Sequence, residues 1–124
     1  RLKSRARRLF IFERGEDVAG EVYPESAQPK LLPECQVVFI SSTSIINRTL
    51  ENLLQYCNKA REVVMVGSST PLYPEAFSGT GVTVLSGTRW LPEYREAILA
   101  GISQCLGIRQ LIKYGRKISV RVEN

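Results

Sequence analysis

The sequence contains no histidine, one methionine, one tryptophan and three cysteines among 124 residues. Without histidine, Ser-His-Asp triads and imidazole metal ligands are excluded. Cys35, Cys57 and Cys105 are odd in number and show no CxxC spacing. They read as free, buried thiols of a reducing compartment rather than as a disulfide framework, with a thiolate metal cluster as the lesser alternative. Cys35 begins a strand and Cys57 ends the helix that returns from it, so both are expected at the amino edge of a sheet. Long apolar runs are also missing. The strongest, VVFI (37–40) and VVMV (63–66), fall far short of the roughly 18 residues of a membrane span. No signal peptide is visible, so the expected location is the cytoplasm. Neither a GxGxxG dinucleotide fingerprint nor a GxxxxGK[ST] phosphate loop occurs. The chain opens on Arg1 rather than Met and reads as a fragment or a processed product.

What is present is ordinary globular composition, 44% hydrophobic and 23% charged, enough for one domain over residues 1–124. The net charge of +5 is unevenly spread. Residues 1–8 hold five basic side chains and no acidic one, residues 109–124 carry +4, and residues 9–108 carry −4. Basic ends around an acidic middle argue weakly for nucleic acid, and stacking aromatics are sparse.

Three short β-branched or aromatic runs, LFIF (9–12), CQVVFIS (35–41) and EVVMVG (62–67), read as strands buried on both faces. VTVLSG (82–87) is a fourth. RKISVRV (116–122) alternates apolar and polar residues, as an edge strand with one wet face does. Leu50, Leu53, Leu54 and Cys57 form a helical stripe, with Asn47 or Thr49 as its N-cap. Pro92 suits the first turn of a second helix, whose stripe includes Tyr94, Ile98 and Ile102. RLKSRARRL suggests the tail of an entering helix, and residues 108–114 a separate turn ending at Gly115. Strands alternating with helices predict a Rossmann-like α/β three-layer sandwich with a mostly parallel sheet of about five strands.

In such sheets ligands bind beyond the carboxyl ends of the strands. Those ends are Glu13-Arg14-Gly15, the SSTS turn (41–44), GSSTPLYP (67–74) and SGTRW (86–90). Each loop taken singly is ordinary turn chemistry, since Ser, Thr, Gly and Pro cap and turn chains everywhere. Three hydroxyl-rich loops at one edge point instead to a site for a small polar ligand. Ser42 and Gly87 belong to it, and Arg48 and Arg89 are its local cations. Glu13, at a strand tip, suits a hydroxyl, a metal or a proton. An enzyme using Glu13 as acid/base is the alternative, with nucleic-acid binding through the basic ends behind it. The sequon Asn47-Arg48-Thr49 reads as chance without a secretion signal.

Four blocks, FERGEDVAGE (12–21), VVFISSTSIINRTLENLL (37–54), VVMVGSSTPLYPEAF (63–77) and VTVLSGTRW (82–90), resemble the putative heavy-metal chelation family, a Rossmann-like domain. They follow in the right order over residues 9–122. The resemblance implies a site at Glu13, Gly20, Asn47, Thr49, Gly67, Ser69, Thr70 and Pro71, and a metal ion as the ligand to consider. No cofactor follows from the residues themselves. Ser42 and Arg48 stand where the family usually has Gly, and Ser68 where it has Pro. The family generally carries an earlier strand and, in longer members, an N-terminal domain, so this chain is expected to supply one wall of a composite site. A small molecule or metal, that N-terminal domain, and a second copy of the chain are the partners left open; a membrane is not among them. The matched residues offer oxygen donors, which suit hard cations or polar molecules, whereas soft metals prefer thiolate and imidazole.

Overall fold

The β-branched runs at 37–41, 62–66 and 84–90 pair side by side because each offers the pleated, apolar surface that a parallel neighbour can use. The computed structural model describes residues 4–13 and 22–124. Its elements are β1 (Ile11–Phe12), β2 (Val22–Tyr23), α1 (Gln28–Leu31), β3 (Val37–Ser41), α2 (Thr43–Ile46), α3 (Leu50–Tyr56), β4 (Glu62–Val66), β5 (Val84–Trp90), α4 (Arg95–Ser103), α5 (Ile108–Leu111) and β6 (Gly115–Arg121). Short 3-10 turns lead into or out of α1, β5, α4 and β6.

The main sheet has the order β3-β4-β5-β6, and β1 pairs in parallel with β2 as a separate two-stranded unit. β3, β4 and β5 are parallel, with Ser41 level with Val66 and Val66 level with Ser86. β6 returns antiparallel along the whole of β5, from Val84–Arg121 to Trp90–Gly115. The architecture is therefore the expected Rossmann-like α/β one, with the alternating 116–122 run as its antiparallel edge.

One face of the sheet carries the core. Val38, Ile40 and Val63 bury against Leu32, Cys57 and the Leu50, Leu53 and Leu54 stripe of α3. Met65 and Leu85, fully buried, pack with Phe77, Val82 and Val122. Removal of each such side chain from water is worth about 1.5–3 kcal/mol. Phe12 of β1 rests on the first of these clusters, and an Arg8–Glu34 ion pair of 2.9 Å ties the same segment to the turn before β3. Cys35 and Cys57 lie here, away from the strand tips as expected, while Cys105 is exposed beyond α4.

Several expectations change. Of LFIF only Ile11–Phe12 is a strand, it lies outside the main sheet, which has four strands rather than about five, and Ile11 is 39% exposed. Cys105 is exposed rather than buried. β3 is covered on one face only, for Val37 and Phe39 are 49% and 54% exposed. Strand periodicity reports that a run is apolar, but not which layers lie above it. The stripe of α4 is not core either: Tyr94 is 42% and Ile102 56% exposed, whereas Gly101 is the buried residue, packed on Leu111. Residues 4–10 form a turn and a bend rather than a helix end.

A polar clasp holds the far edge of the sheet. The Thr83 hydroxyl donates to the Glu62 carboxylate, which also accepts from Arg121 at 2.8 Å. The Thr83 hydrogen bond, followed by the Arg121 bond and charge, holds the Glu62 carboxyl below its ordinary value of 4.5. A depressed carboxyl stabilises the fold above its unfolded pKa, and this contribution fades as the pH falls through the folded value. Thr83→Val removes the larger of these influences. Urea denaturation across about pH 3–6 is expected to show a smaller acid-side loss of stability in Thr83→Val than in the wild type.

Candidate functional site

The parallel register brings the ends of β3 and β4 to one level beside the middle of β5, and the loops that follow interlock there. The Ser42 amide donates to the Val66 carbonyl at 2.8 Å, and the Gly67 amide to Ser86 at 3.2 Å. Ser42 is buried, and its Oγ lies 2.8 Å from Ser69 Oγ in a shared hydrogen bond. Gly67 has φ of +145°, and a Cβ there would lie 2.2 Å from Ser42 Oγ. Glycine is therefore required twice, by backbone conformation and by the hydroxyl that fills the space. Gly87 plays a related part on β5. A Cβ at Gly87 would meet the Thr70 carbonyl at 3.1 Å and the Thr70 Cβ at 3.2 Å, so its absence lets the 67–71 loop lie close to the sheet.

Ser42, Gly67, Ser69, Thr70 and Gly87 are thus brought together as expected from the sequence. Pro71 follows them on the exposed side. Asn47 caps the end of α2 with its amide on Thr43, and its side chain is exposed. Thr49 is half-buried ahead of α3, with its amide on the Ser44 carbonyl at 2.9 Å and its hydroxyl on the same atom at 3.5 Å. Thr49 also lines a cleft of about 220 Å³ with Glu25, Gln28, Asn52 and Tyr56, between α1 and α3. Glu13 is exposed just past β1. Gly20 lies outside the described residues. Arg48 occupies the left-handed region at φ 55°, a conformation in which a glycine is unstrained. Arg48 and Arg89 are both exposed.

Two buried hydroxyls in these loops stand out. Ser44 Oγ and Thr70 Oγ1 are each in residues only 5% exposed, and neither has a hydrogen-bond partner among the described residues. An unmet buried hydroxyl costs about 1–3 kcal/mol, so native folds rarely keep one without a use. Of the SSTS turn the sequence singles out Ser42 alone, and Ser44 is buried beside it in the chain. Four consecutive hydroxyl-bearing residues (41–44) carry no signal of which face inward, because the strand ends and α2 begins within them.

Among the described residues no group of three or more His, Cys, Asp or Glu converges on a common point. The cysteines offer no thiolate there either. Burial pushes the thiols of Cys35 and Cys57 up, with Glu34 adding to the first and Cys35 adding to the second. What the loops present is neutral hydroxyls, buried at Ser42, Ser44 and Thr70 and exposed at Ser41, Thr43, Ser68 and Ser69.

Fold and strand-edge chemistry together define a Rossmann-like α/β domain with a hydroxyl-lined loop edge. The family model described as "Putative heavy-metal chelation" matches residues 1–121, and the chain belongs to that family, DUF364. A crystal structure of a family member of unknown function from Pyrococcus horikoshii superposes with a TM-score of 0.83 at 25% identity, covering 91% of this chain and 46% of that one. Another, from Desulfitobacterium hafniense, gives a TM-score of 0.75 at 22% identity, covering 90% of this chain and 51% of that one. An uncharacterized protein of Methanocaldococcus jannaschii is 33% identical over 82 residues, which are 65% of this chain and 32% of that protein. The chain thus spans about half the length of these solved relatives and a third of the curated one.

Two outcomes follow from the geometry. Thr70→Val keeps the shape of the side chain and removes the unmet hydroxyl, so thermal or urea unfolding is expected to show a variant more stable than the wild type by about 1 kcal/mol. A loss of stability would mean that the hydroxyl is structurally paired. Gly67→Ala is expected to cost about 1–3 kcal/mol in the same assay, because the new Cβ meets both a disfavoured φ and Ser42 Oγ.

Proposed function

We propose that this domain binds a small, oxygen-rich polar ligand, with residues 42–44, 67–71 and 87 as one wall of a composite site. The observation that carries this reading is the pair of buried hydroxyls without a partner among the described residues, Ser44 Oγ and Thr70 Oγ1, in the same two loops that the Ser42–Ser69 hydrogen bond joins. A carboxylate, a phosphoryl group or the ligand shell of a metal complex would supply the missing partners. The family description fits the last of these in a specific sense: the metal would be recognised through the oxygens that already surround it, since the site carries too few anionic ligands to strip and hold a bare ion. Ser42 narrows the wall where the family usually has glycine, and the exposed Arg48 and Arg89 add positive charge among the surrounding loops.

The test is a thermal-shift panel of carboxylates, phosphorylated metabolites, nucleotides, free divalent metals and metal–citrate complexes on the natural protein. A ligand at about 100 times its Kd stabilises by about 2.7 kcal/mol, a shift of several degrees for a domain of this size. At least one anionic or complexed ligand is expected to produce it, and Thr70→Val and Ser69→Ala are expected to abolish it without lowering the basal melting temperature below that of the free wild type by more than about 2 °C. A shift that survives both substitutions, or one given by free metals alone, would place the binding elsewhere.

A further inference from the structure

β5 outruns its parallel neighbours. β3 and β4 end at the level of Ser86, whereas β5 continues to Trp90, paired with the start of β6. Arg89 is thereby carried about 10 Å beyond the level at which the two other strands stop. Side chains alternate along a strand, so Leu85, Gly87 and Arg89 share one face. Leu85 is core there, and a Cβ at Gly87 would meet Thr70 and Leu72, so this is the face on which the 67–71 loop lies. Directly opposite on β6 stand Val120, Ile118 and Arg116. The row thus passes from core, through the loop contact at Gly87, to two arginines side by side. Leu91 donates its amide to the Tyr114 carbonyl at 2.9 Å, so the odd-numbered residues of β5 are those bonded to β6. In such a pair the Cα atoms are about 5.5 Å apart.

Like charges directly opposite weaken a sheet. Arg89 and Arg116 are both exposed, and neither has a carboxylate partner among the described residues, although Arg8 and Arg121 each have one. The second sign of a ligand lies two positions along the same face. Thr70 is 5% exposed, its Oγ1 lacks a partner among the described residues, and its Cβ is 3.2 Å from the place a Gly87 Cβ would take.

We propose that Arg89 and Arg116 seat a phosphoryl group, so that the ligand of the hydroxyl-lined wall is a phosphorylated small molecule. Its phosphoryl group lies on the arginine pair and its neutral oxygens lie toward the 67–71 loop. The seat deepens the ligand reading above and rests on it only for that neutral part. Charge favours phosphoryl over carboxylate. A phosphoryl group brings close to two negative charges and three acceptor oxygens, enough for the forks of two guanidinium groups, whereas a carboxylate brings one charge and two oxygens. Arg116 reaches this edge because β6 is antiparallel and begins where the parallel strands end, so a reading confined to the parallel strand tips passes over it.

Calorimetric titration of the complete natural polypeptide with inorganic phosphate tests the seat, with acetate at matched ionic strength as the singly charged comparison. Phosphate is expected to bind more tightly than acetate by roughly tenfold, and Arg89→Gln and Arg116→Gln are each expected to weaken it by roughly tenfold. Lys117 is next in the chain but on the opposite face, level with Thr88. Lys117→Gln is therefore expected to change phosphate affinity by less than about twofold. Neither arginine substitution is expected to lower the melting temperature, because each relieves the like-charge contact. Equal affinity for the two anions, an equal loss in Lys117→Gln, or a substituted arginine that destabilises the fold overturns the seat. Thr70→Val separates the two readings, since inorganic phosphate has no neutral part and is expected to bind this variant as it binds the wild type. Phosphate bound in that way, with no organic ligand found by the thermal-shift panel, would remove the wall and leave the seat. A carboxylate ligand lost in Thr70→Val but kept in Arg116→Gln would do the reverse.

Discussion

Everything at the candidate site depends on the register of three parallel strands. Parallel pairing staggers nothing here: Ser41, Val66 and Ser86 stand at one level across β3, β4 and β5. Because consecutive strands reach the same height, the loops that leave β3 and β4 meet over the body of β5 and must share a small volume. Ser42 donates its amide to the end of β4, Gly67 donates its own to β5, and the two serine hydroxyls close the gap between them. A slip of one residue would turn Val38, Ile40, Val63 and Met65 out of the core, so the apolar faces of these strands also fix where the hydroxyls end up.

Much of this was legible in the chain. The β-branched runs, the α3 stripe and the alternating last strand each carry a local periodicity, and local periodicity is what a sequence displays directly. The convergence of Ser42, Gly67, Ser69, Thr70 and Gly87 was legible as well, because a parallel sheet forces successive strand tips to one edge. Other features were not. Which of Ser41, Thr43 and Ser44 faces inward depends on the phase at which β3 gives way to α2, and no residue in that run marks the change. The exposure of Phe39, Tyr94 and Ile102 belongs to the same class. An apolar stripe announces that a surface is meant to be covered, but not whether the cover lies within the same 124 residues.

Thiols and hydroxyls divide the domain chemically. Cys35 and Cys57 sit at the amino end of the strands, in apolar packing whose burial pushes their thiol pKa values up. The oxygen-bearing side chains gather at the opposite end. A soft metal and the candidate site therefore have little to offer one another, despite the family's description. The oxygen-coordinated complex proposed above would resolve the tension, since its outer atoms are of the kind that serines and threonines recognise.

The close approach of Ser42 and Gly67 has an evolutionary corollary. Position 67 is closed to any side chain by its backbone conformation, whereas position 42 borders the space that this closure leaves open. Variation is thus channelled to one side of the contact. A lineage can rewrite the chemistry of the wall by exchanging a hydrogen for a hydroxymethyl group at 42, leaving both strands where they are. Residue 42 is the adjustable element of an otherwise fixed frame, and relatives with glycine there would present the same frame with a deeper, less polar recess.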